Sequence, residues 1–466
     1  MLGGCGLEEL PWKAASVAQR SRHHSLDLKH SVTGRSSPFH LSTSALGLFN
    51  RGRHAPEGSD LTRTTAARQR GFKTLVVGGG VAGLEAMLAL RALAPDLVDV
   101  ELVSAETHFY YRPLAVAEAF GLGKVRRWEL GDLARTVGAD FSVGVLAAVD
   151  TDRQETRFAS GAVIAYDALL IASGAHPHQA VEGALAFRGP ADAEPFRALL
   201  DELESRGTAR LLYAIPSGPV WPLPIYELAL LSAREFEQRD VDVRVGVVTS
   251  EPSPLALFGT RASATVRSLL DDRGIDIWCS KYPAEFREGR LSCVPKGSIT
   301  ADFVVAGPRL AGPAIEGLPS DQSGFIPVDE HGRIRGREAV YAAGDGTTFP
   351  IKQGGIAAAQ ADAAAASIAR LAGAELEPRP FRPILRALLL GGERSTFMSV
   401  ELMGGSGDTS EVSEEALWWP AGKIVGRYLS PFLASLGVAE LHPEIDENVF
   451  RIEIDEAALH EINWER

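Results

Sequence analysis

Cysteine is scarce in this chain: Cys5, Cys279 and Cys293 are the only three in 466 residues, and none forms a C-x-x-C pair. A disulfide framework is thereby excluded, and a reducing compartment is the expected setting. Long apolar runs are missing too, since no stretch approaches the roughly 18 residues that a membrane-spanning helix needs. The N-terminus lacks the continuous apolar core of a secretory signal. Basic excess is absent as well. With a net charge of -13 the chain has no overall attraction for phosphate backbones, which excludes nucleic acid as a general partner.

The charge is uneven. Residues 1–73 carry eleven Lys and Arg against five Asp and Glu, a net of about +6, so the remainder holds about -19. Residues 1–71 are rich in Ser, Arg, His and Thr without a sustained period, and a disordered extension is expected there. The composition is compatible with an organellar transit peptide. A start codon assigned upstream of the natural one gives the same appearance and is the preferred reading. Five of the eleven histidines fall in this stretch (His23, His24, His30, His40, His54) without metal-ligand spacing, and no metal site is expected.

What is present is organised around Lys73 to Glu106. An apolar β-type run, Thr74 to Val77, passes directly into Gly78-Gly79-Gly80-Val81-Ala82-Gly83. A helical stripe (Leu84, Met87, Leu88, Leu90) and a second buried strand (Val100 to Val103) follow. This is a βαβ unit opened by G-x-G-x-x-G. Gly78 makes the tight turn, Gly80 lets the backbone approach a pyrophosphate, and Gly83 lets helix and strand pack closely. The phosphates would rest on the free N–H groups at the helix start, around Val81 and Ala82. An acid usually ends the second strand to hold the ribose. Ser104 stands there, which leaves Glu106 as the candidate for the 2′-hydroxyl or, alternatively, as an exposed loop acid.

Residues 107–123 are aromatic and then apolar, placed beyond a strand's carboxyl end to cover a ligand. Residues 141–150 and 155–165 alternate like a hairpin. Tyr166 to Ala175 reads as a buried strand ending in Ala172, Ser173 and Gly174, small enough for close approach to a nucleotide. His176-x-His178 reads as a solvated turn. Near Pro190 the pattern restarts: a helix over 194–206, a strand over 210–215, a helix over 225–238 and a strand over 243–248. Glu251 trails the second strand as Glu106 trails the first. The turn is different, reading Pro216-Ser217-Gly218-Pro219-Val220-Trp221-Pro222-Leu223-Pro224-Ile225-Tyr226. Prolines remove N–H donors and Trp221 fills space. Two readings stay open: a site for NAD(P)H, or a structural domain whose former nicotinamide pocket serves another substrate.

Strands over 301–307 and 339–343 return the chain to its first domain. Gly344-Asp345 then sets a carboxylate at a strand end, suited to accepting hydrogen bonds from a polyol, and Lys352-Gln353-Gly354-Gly355 opens an Ala-rich helix over 355–372. In the last region, 376–466, residues 404–414 read as mobile. Residues 417–436 combine Trp418, Trp419, Tyr, Lys and Arg with an apolar face. That suits a membrane interface, or a helical cap on the first domain or on a second subunit.

With GGGVAG, LLIASGA, the inserted second unit and YAAGD in this order, residues 72–375 resemble the two-dinucleotide-domain FAD oxidoreductases of the pyridine nucleotide-disulfide superfamily. Within it, Tyr110-Tyr111-Arg112-Pro113-Leu114 is similar to a segment of type II NADH dehydrogenases and sulfide:quinone oxidoreductases. PSGPVWPLP is closer to the latter. The resemblance implies an α/β fold of two Rossmann-like domains, the second inserted in the first, with a smaller C-terminal α+β cap. Its implied divisions are 72–190 and 313–375 for FAD, 191–312 for the NAD(P)-type insertion and 376–466 for the cap. It implies FAD held by Gly78, Gly80, Val81, Ala82 and Gly83, with Glu106 at the ribose and Leu146 beside the adenine. Arg112, Ala172, Ser173, Gly174, Gly344 and Asp345 complete that set. Lys352, Gln353 and Gln360 would serve catalysis: the first two face the flavin's pyrimidine edge, where reduction leaves negative charge, and Gln360 matches one Gln of a quinone-site pattern. The first Gln of that pattern is Ile356 here.

Cys279 and Cys293 fall in the second domain, at neither place where sulfide oxidation requires a thiol, and this argues against sulfide and disulfide chemistry alike. The expected function is electron transfer from a soluble small-molecule donor, NAD(P)H being a candidate, through FAD to a quinone-like acceptor. A cytoplasmic location at the inner face of a membrane and a homodimer accompany it. The alternative is an FAD-binding, redox-responsive interaction protein with little turnover.

Overall fold

A computed structural model describes residues 71–295, 297–391, 394–402 and 410–436, all within one compact unit. Apart from Gly71, the extension expected over 1–71 lies outside them, as does the end of the C-terminal region from residue 437.

The chain opens with β1 (Phe72–Val77), α1 (Val81–Leu93) and β2 (Val98–Ser104), followed by β3 (Asp140–Val143) and β4 (Ala168–Ile171). Next come β5 (Leu185–Ala186), α2 (Ala193–Arg206), β6 (Thr208–Ile215), α3 (Leu223–Gln238) and β7 (Asp242–Thr249). After them are α4 (Gly259–Asp272), β8 (Asp276–Trp278) and β9 (Phe303–Ala306). The chain continues through β10 (Val340–Ala342), α5 (Gly354–Leu371), β11 (Ile384–Leu389), β12 (Thr396–Glu401), β13 (Glu411–Ser413) and α6 (Leu429–Ser435).

Two five-stranded sheets carry the fold, and every pairing in them is parallel. Their orders are β10-β4-β1-β2-β3 and β5-β9-β6-β7-β8. Parallel strands covered on both faces read as continuous apolar runs rather than alternating ones. That is why Leu75-Val76-Val77, Leu169-Leu170-Ile171 and Leu211 to Ile215 are buried throughout. The first sheet is assembled from residues on both sides of the second, because β10 pairs with β4 after β5 to β9 have been laid down. In each sheet the first crossover leads to one side and later strands return on the other. The reversal opens a crevice beyond the carboxyl ends, between β1 and β4 in one sheet and between β6 and β9 in the other.

Two local expectations need correction. Residues 141–150 are not one arm of a hairpin: Asp140–Val143 joins the first sheet beside β2, while 146–150, 155–158 and 163–165 form a separate antiparallel sheet. The break falls at Gly144, where a Cβ would meet the Phe158 ring at 2.9 Å. Residues 404–414 are not wholly irregular either. Glu411–Ser413 pairs with β12, and residues 404–409 lie outside the described part.

Candidate active site

The first crevice gathers segments distant in sequence. β1 ends against β4, and the Gly78 turn lies so close that a Cβ there would stand 2.1 Å from the Ala172 carbonyl oxygen. A Cβ on Gly83 would reach the Gly78 oxygen at 1.8 Å, which makes the tight approach of α1 to the strand end impossible for any other residue. Gly80 is the opposite case: its Cα faces open space. No side chain caps α1, so the N–H groups of its first turn point into that space with the positive end of the helix dipole. Gly174 lies beside Gly346, and Gly344 beside Ala82 and Ala357. The structure therefore brings the glycine turn, Ala172 to Gly174, Gly344-Asp345 and the start of α5 to one place.

Asp345 is half-buried, and its carboxylate has no hydrogen-bond partner among the described residues. Burial lifts its pKa above the usual carboxylate range, while the nearby charges of Lys352 and Arg112 pull it back. Lys352 is buried; its Nζ donates to the Thr347 carbonyl at 2.5 Å and sits 3.9 Å from the Phe325 ring centre. Burial lowers its pKa to about 8 against the pull of Asp345 and Asp321.

The two glutamines of this corner are committed elsewhere. Gln353 caps α5, its Oε1 accepting from the Ile356 N–H at 2.9 Å and its Nε2 donating to the Arg386 carbonyl at 3.0 Å. Gln360 Oε1 accepts from the Gly344 N–H at 2.8 Å and so fixes the turn that presents Asp345. Ser104, not Glu106, adjoins the glycine turn: a Cβ on Gly79 would approach its Oγ at 2.9 Å, and Glu106 is exposed. Leu146 begins the separate antiparallel sheet, pairing with Phe158.

The stretch 417–436 lies over this crevice as a strap and turns its apolar residues inward. Trp418 packs edge-on against Phe397 and donates from Nε1 to the Gly422 carbonyl, while Leu429, Phe432 and Leu433 are buried. Trp419 remains 56% exposed. Ile424 lies at the start of α5, 3.3 Å from where a Cβ on Gly354 would be, and its N–H donates to the Tyr111 hydroxyl at 3.2 Å. Burial pushes that hydroxyl up to about 12, so it stays protonated.

Two buried acids anchor the strap, and neither was singled out from the sequence. Glu85 of α1 accepts from the Tyr428 and Leu429 N–H groups, both at 2.7 Å, and faces the Asp362 carboxyl of α5. Glu227 of α3 accepts from Lys423 Nζ at 2.5 and 2.7 Å and from the Leu390 N–H at 2.9 Å. The available signal was a single acid inside an otherwise apolar helical run, in LEAML, AQADAAAA and YELALL.

In the second crevice the corresponding acid is already taken. Glu251 accepts from the Tyr226 hydroxyl at 2.7 Å and from Thr249 Oγ1 at 2.9 Å. His176 and His178 are exposed on a two-stranded ribbon with Arg309–Ala311. Among the described residues no group of three or more His, Cys, Asp and Glu could hold a metal, and no helix is long and apolar enough to cross a membrane.

The first crevice fits an adenine-flavin dinucleotide on its own chemistry: an uncapped helix start beside an open glycine for the pyrophosphate, and an uncommitted carboxylate for hydroxyl donors. The likeness to known proteins agrees. A biphenyl dioxygenase system ferredoxin–NAD(+) reductase component of Paraburkholderia xenovorans is 26% identical over 299 residues, covering 60% of this chain and 68% of the relative. An NADH dehydrogenase-like protein of Mycobacterium tuberculosis is 26% identical over 292 residues, 59% of this chain and 72% of the relative. The solved sulfide:quinone oxidoreductase of Aquifex aeolicus superposes with a TM-score of 0.64 at 21% identity, covering 74% of this chain and 87% of its own, a likeness of fold. Residues 72–212 and 227–366 match the pyridine nucleotide-disulphide oxidoreductase family, with a break over the second turn. Since that match runs through both sheets and more than half of the chain, the protein belongs to this family and is an FAD-dependent oxidoreductase.

Proposed function

We propose that this oxidoreductase carries electrons in pairs from a soluble donor, by way of FAD, to a quinone-like acceptor. The observation that carries the reading is Asp345, a half-buried carboxylate without a hydrogen-bond partner among the described residues, beside an α1 start that no side chain caps. FAD, when bound, supplies the redox chemistry. The chain's part is to hold and tune. The first turn of α1 binds the pyrophosphate with its N–H groups, and Asp345 accepts hydroxyl hydrogen bonds from the polyol chain. Lys352 and the positive end of α5 keep favourable charge beside the group that gains electrons. Ile424, Val81 and the buried Tyr111 ring give the crevice an apolar wall at that end, suited to an uncharged planar acceptor. We assign 72–190 and 313–375 to the FAD-binding body, 191–312 to the insertion and the region from 376 to the cap.

The test begins with a visible spectrum. Purified protein is expected to hold FAD, and Asp345→Ala to hold it roughly ten- to a hundredfold more weakly, the worth of about 1.5–3 kcal/mol for a hydrogen bond to a charged group. Protein that is colourless and refuses added FAD defeats the reading. The strap across the crevice favours a second reading, an interaction module with little turnover. Steady-state quinone reduction at enzymatic rates excludes it.

A further inference from the structure

The family's name calls for a pyridine nucleotide, and the second sheet opens a crevice at the same point of its topology as the first, yet its residues do not fit such a nucleotide. The first turn needs only Gly78 to Gly80 between β1 and α1, whereas Pro216 to Pro222 separates β6 from α3. Four prolines over 216–224 supply no N–H. Of the carbonyls there, Ser217 accepts from Arg309 Nε at 3.3 Å, Pro219 from the Leu310 N–H at 3.1 Å and Pro222 from the Ile225 N–H at 3.0 Å. The turn is thus pinned to the chain beyond β9 through Ser217 and Pro219, and three of its seven residues, Pro216, Pro219 and Pro222, have no N–H to offer a pyrophosphate.

Trp221 adds bulk, packing against Phe258 with ring centres 6.0 Å apart. The acid that would take a ribose is committed to Tyr226 and Thr249, and burial already holds its pKa above the usual range. The break in the family match, over 213–226, coincides with this turn. On the far side the strap crosses from Glu227 of α3, through Lys423, to Ile424 at the start of α5.

We infer that the second domain of this chain takes no pyridine nucleotide. It is a closed wall to which the strap is fastened, and the donor reaches the first crevice without it. The inference is separable from the FAD reading, since a nucleotide taken up by a flavin-free first crevice would be unmoved by substitutions in the second.

The experiment titrates NADH, NADPH and ADP-ribose into the protein as purified, following energy transfer from tryptophan to the reduced nucleotides and the heat of binding for ADP-ribose. Glu251→Ala and Ser217→Glu are measured beside it; the latter sets a carboxylate on the half-buried turn where a pyrophosphate would lie. No saturation up to about 1 mM is expected for any of the three ligands, which is affinity too weak to use. Saturable binding that neither substitution changes also upholds the inference, because it lies outside the second crevice. Saturable binding in the micromolar range that either substitution weakens tenfold or more overturns it.

Discussion

Gln360 lies in the second turn of α5 with its amide oxygen on the Gly344 N–H and its side chain in contact with Thr347 Oγ1 at 3.4 Å. Gln360→Leu would keep the helix and strand Gly344 without its acceptor in a buried place. The expected cost is about 1–3 kcal/mol in denaturant unfolding, together with weaker FAD retention, because the turn presenting Asp345 is no longer fixed. A variant with unchanged stability and unchanged FAD affinity would refute this role. The resemblance implied Lys352, Gln353 and Gln360 as site residues, and the structure sets them around the Gly344-Asp345 turn and the start of α5. Their partners, the Arg386 and Thr347 carbonyls and the Gly344 N–H, were invisible in the sequence, since which polar atom stays free depends on contacts that spacing does not encode. The glycines were legible for a converse reason: lacking a Cβ is a property of the residue itself.

At the scale of elements, α1 and α5 meet the strap through the Glu85 and Asp362 carboxyls. Burial raises both; Glu85 lifts Asp362 further against the charge of Arg427, whereas the Tyr428, Leu429 and Arg427 N–H groups and the hydrogen bond with Asp362 pull Glu85 back. Two facing carboxylates in a buried place keep a proton between them. The unfolded chain releases that proton above roughly pH 4–5, so the folded state holds more protons, and stability falls as pH rises through the folded-state values. Asp362→Asn mimics the protonated partner and still donates to Glu85. It is expected to flatten this decline and to stabilise the protein on the alkaline side, measured as unfolding free energy against pH. A profile that keeps the wild-type slope would show that the pair does not share a proton. Both helices were readable from their apolar stripes and the turns that start them. The clamp was not, because Glu85 and Tyr428 are distant in sequence and no periodicity links them.

Across the whole molecule, the two parallel sheets were legible because strand, turn, helix and strand occur twice in the same order, and the second copy keeps even the late acid at Glu251. The C-terminal region offered no such repeat, and its role as a strap fastened to both sheets emerges only from contacts. Lys423 and Glu227, with side chains 6% and 1% exposed, are the fastening on the second sheet's side. Lys423→Met would leave the Glu227 carboxylate buried with the Leu390 N–H as its remaining donor, a loss of about 3–5 kcal/mol. Because the carboxyl can then take up a proton, the deficit should shrink as pH is lowered. Adding Glu227→Gln removes the stranded charge yet keeps an acceptor for Leu390, and the double variant should recover more than half of the loss. Melts followed both by flavin fluorescence and by far-ultraviolet circular dichroism would show where the loss is felt. If the strap couples the sheets, Lys423→Met should separate FAD release from the loss of secondary structure, and the double variant should bring the two closer again. Coincident, unshifted transitions in all three proteins would mean that the ion pair is incidental to the assembly.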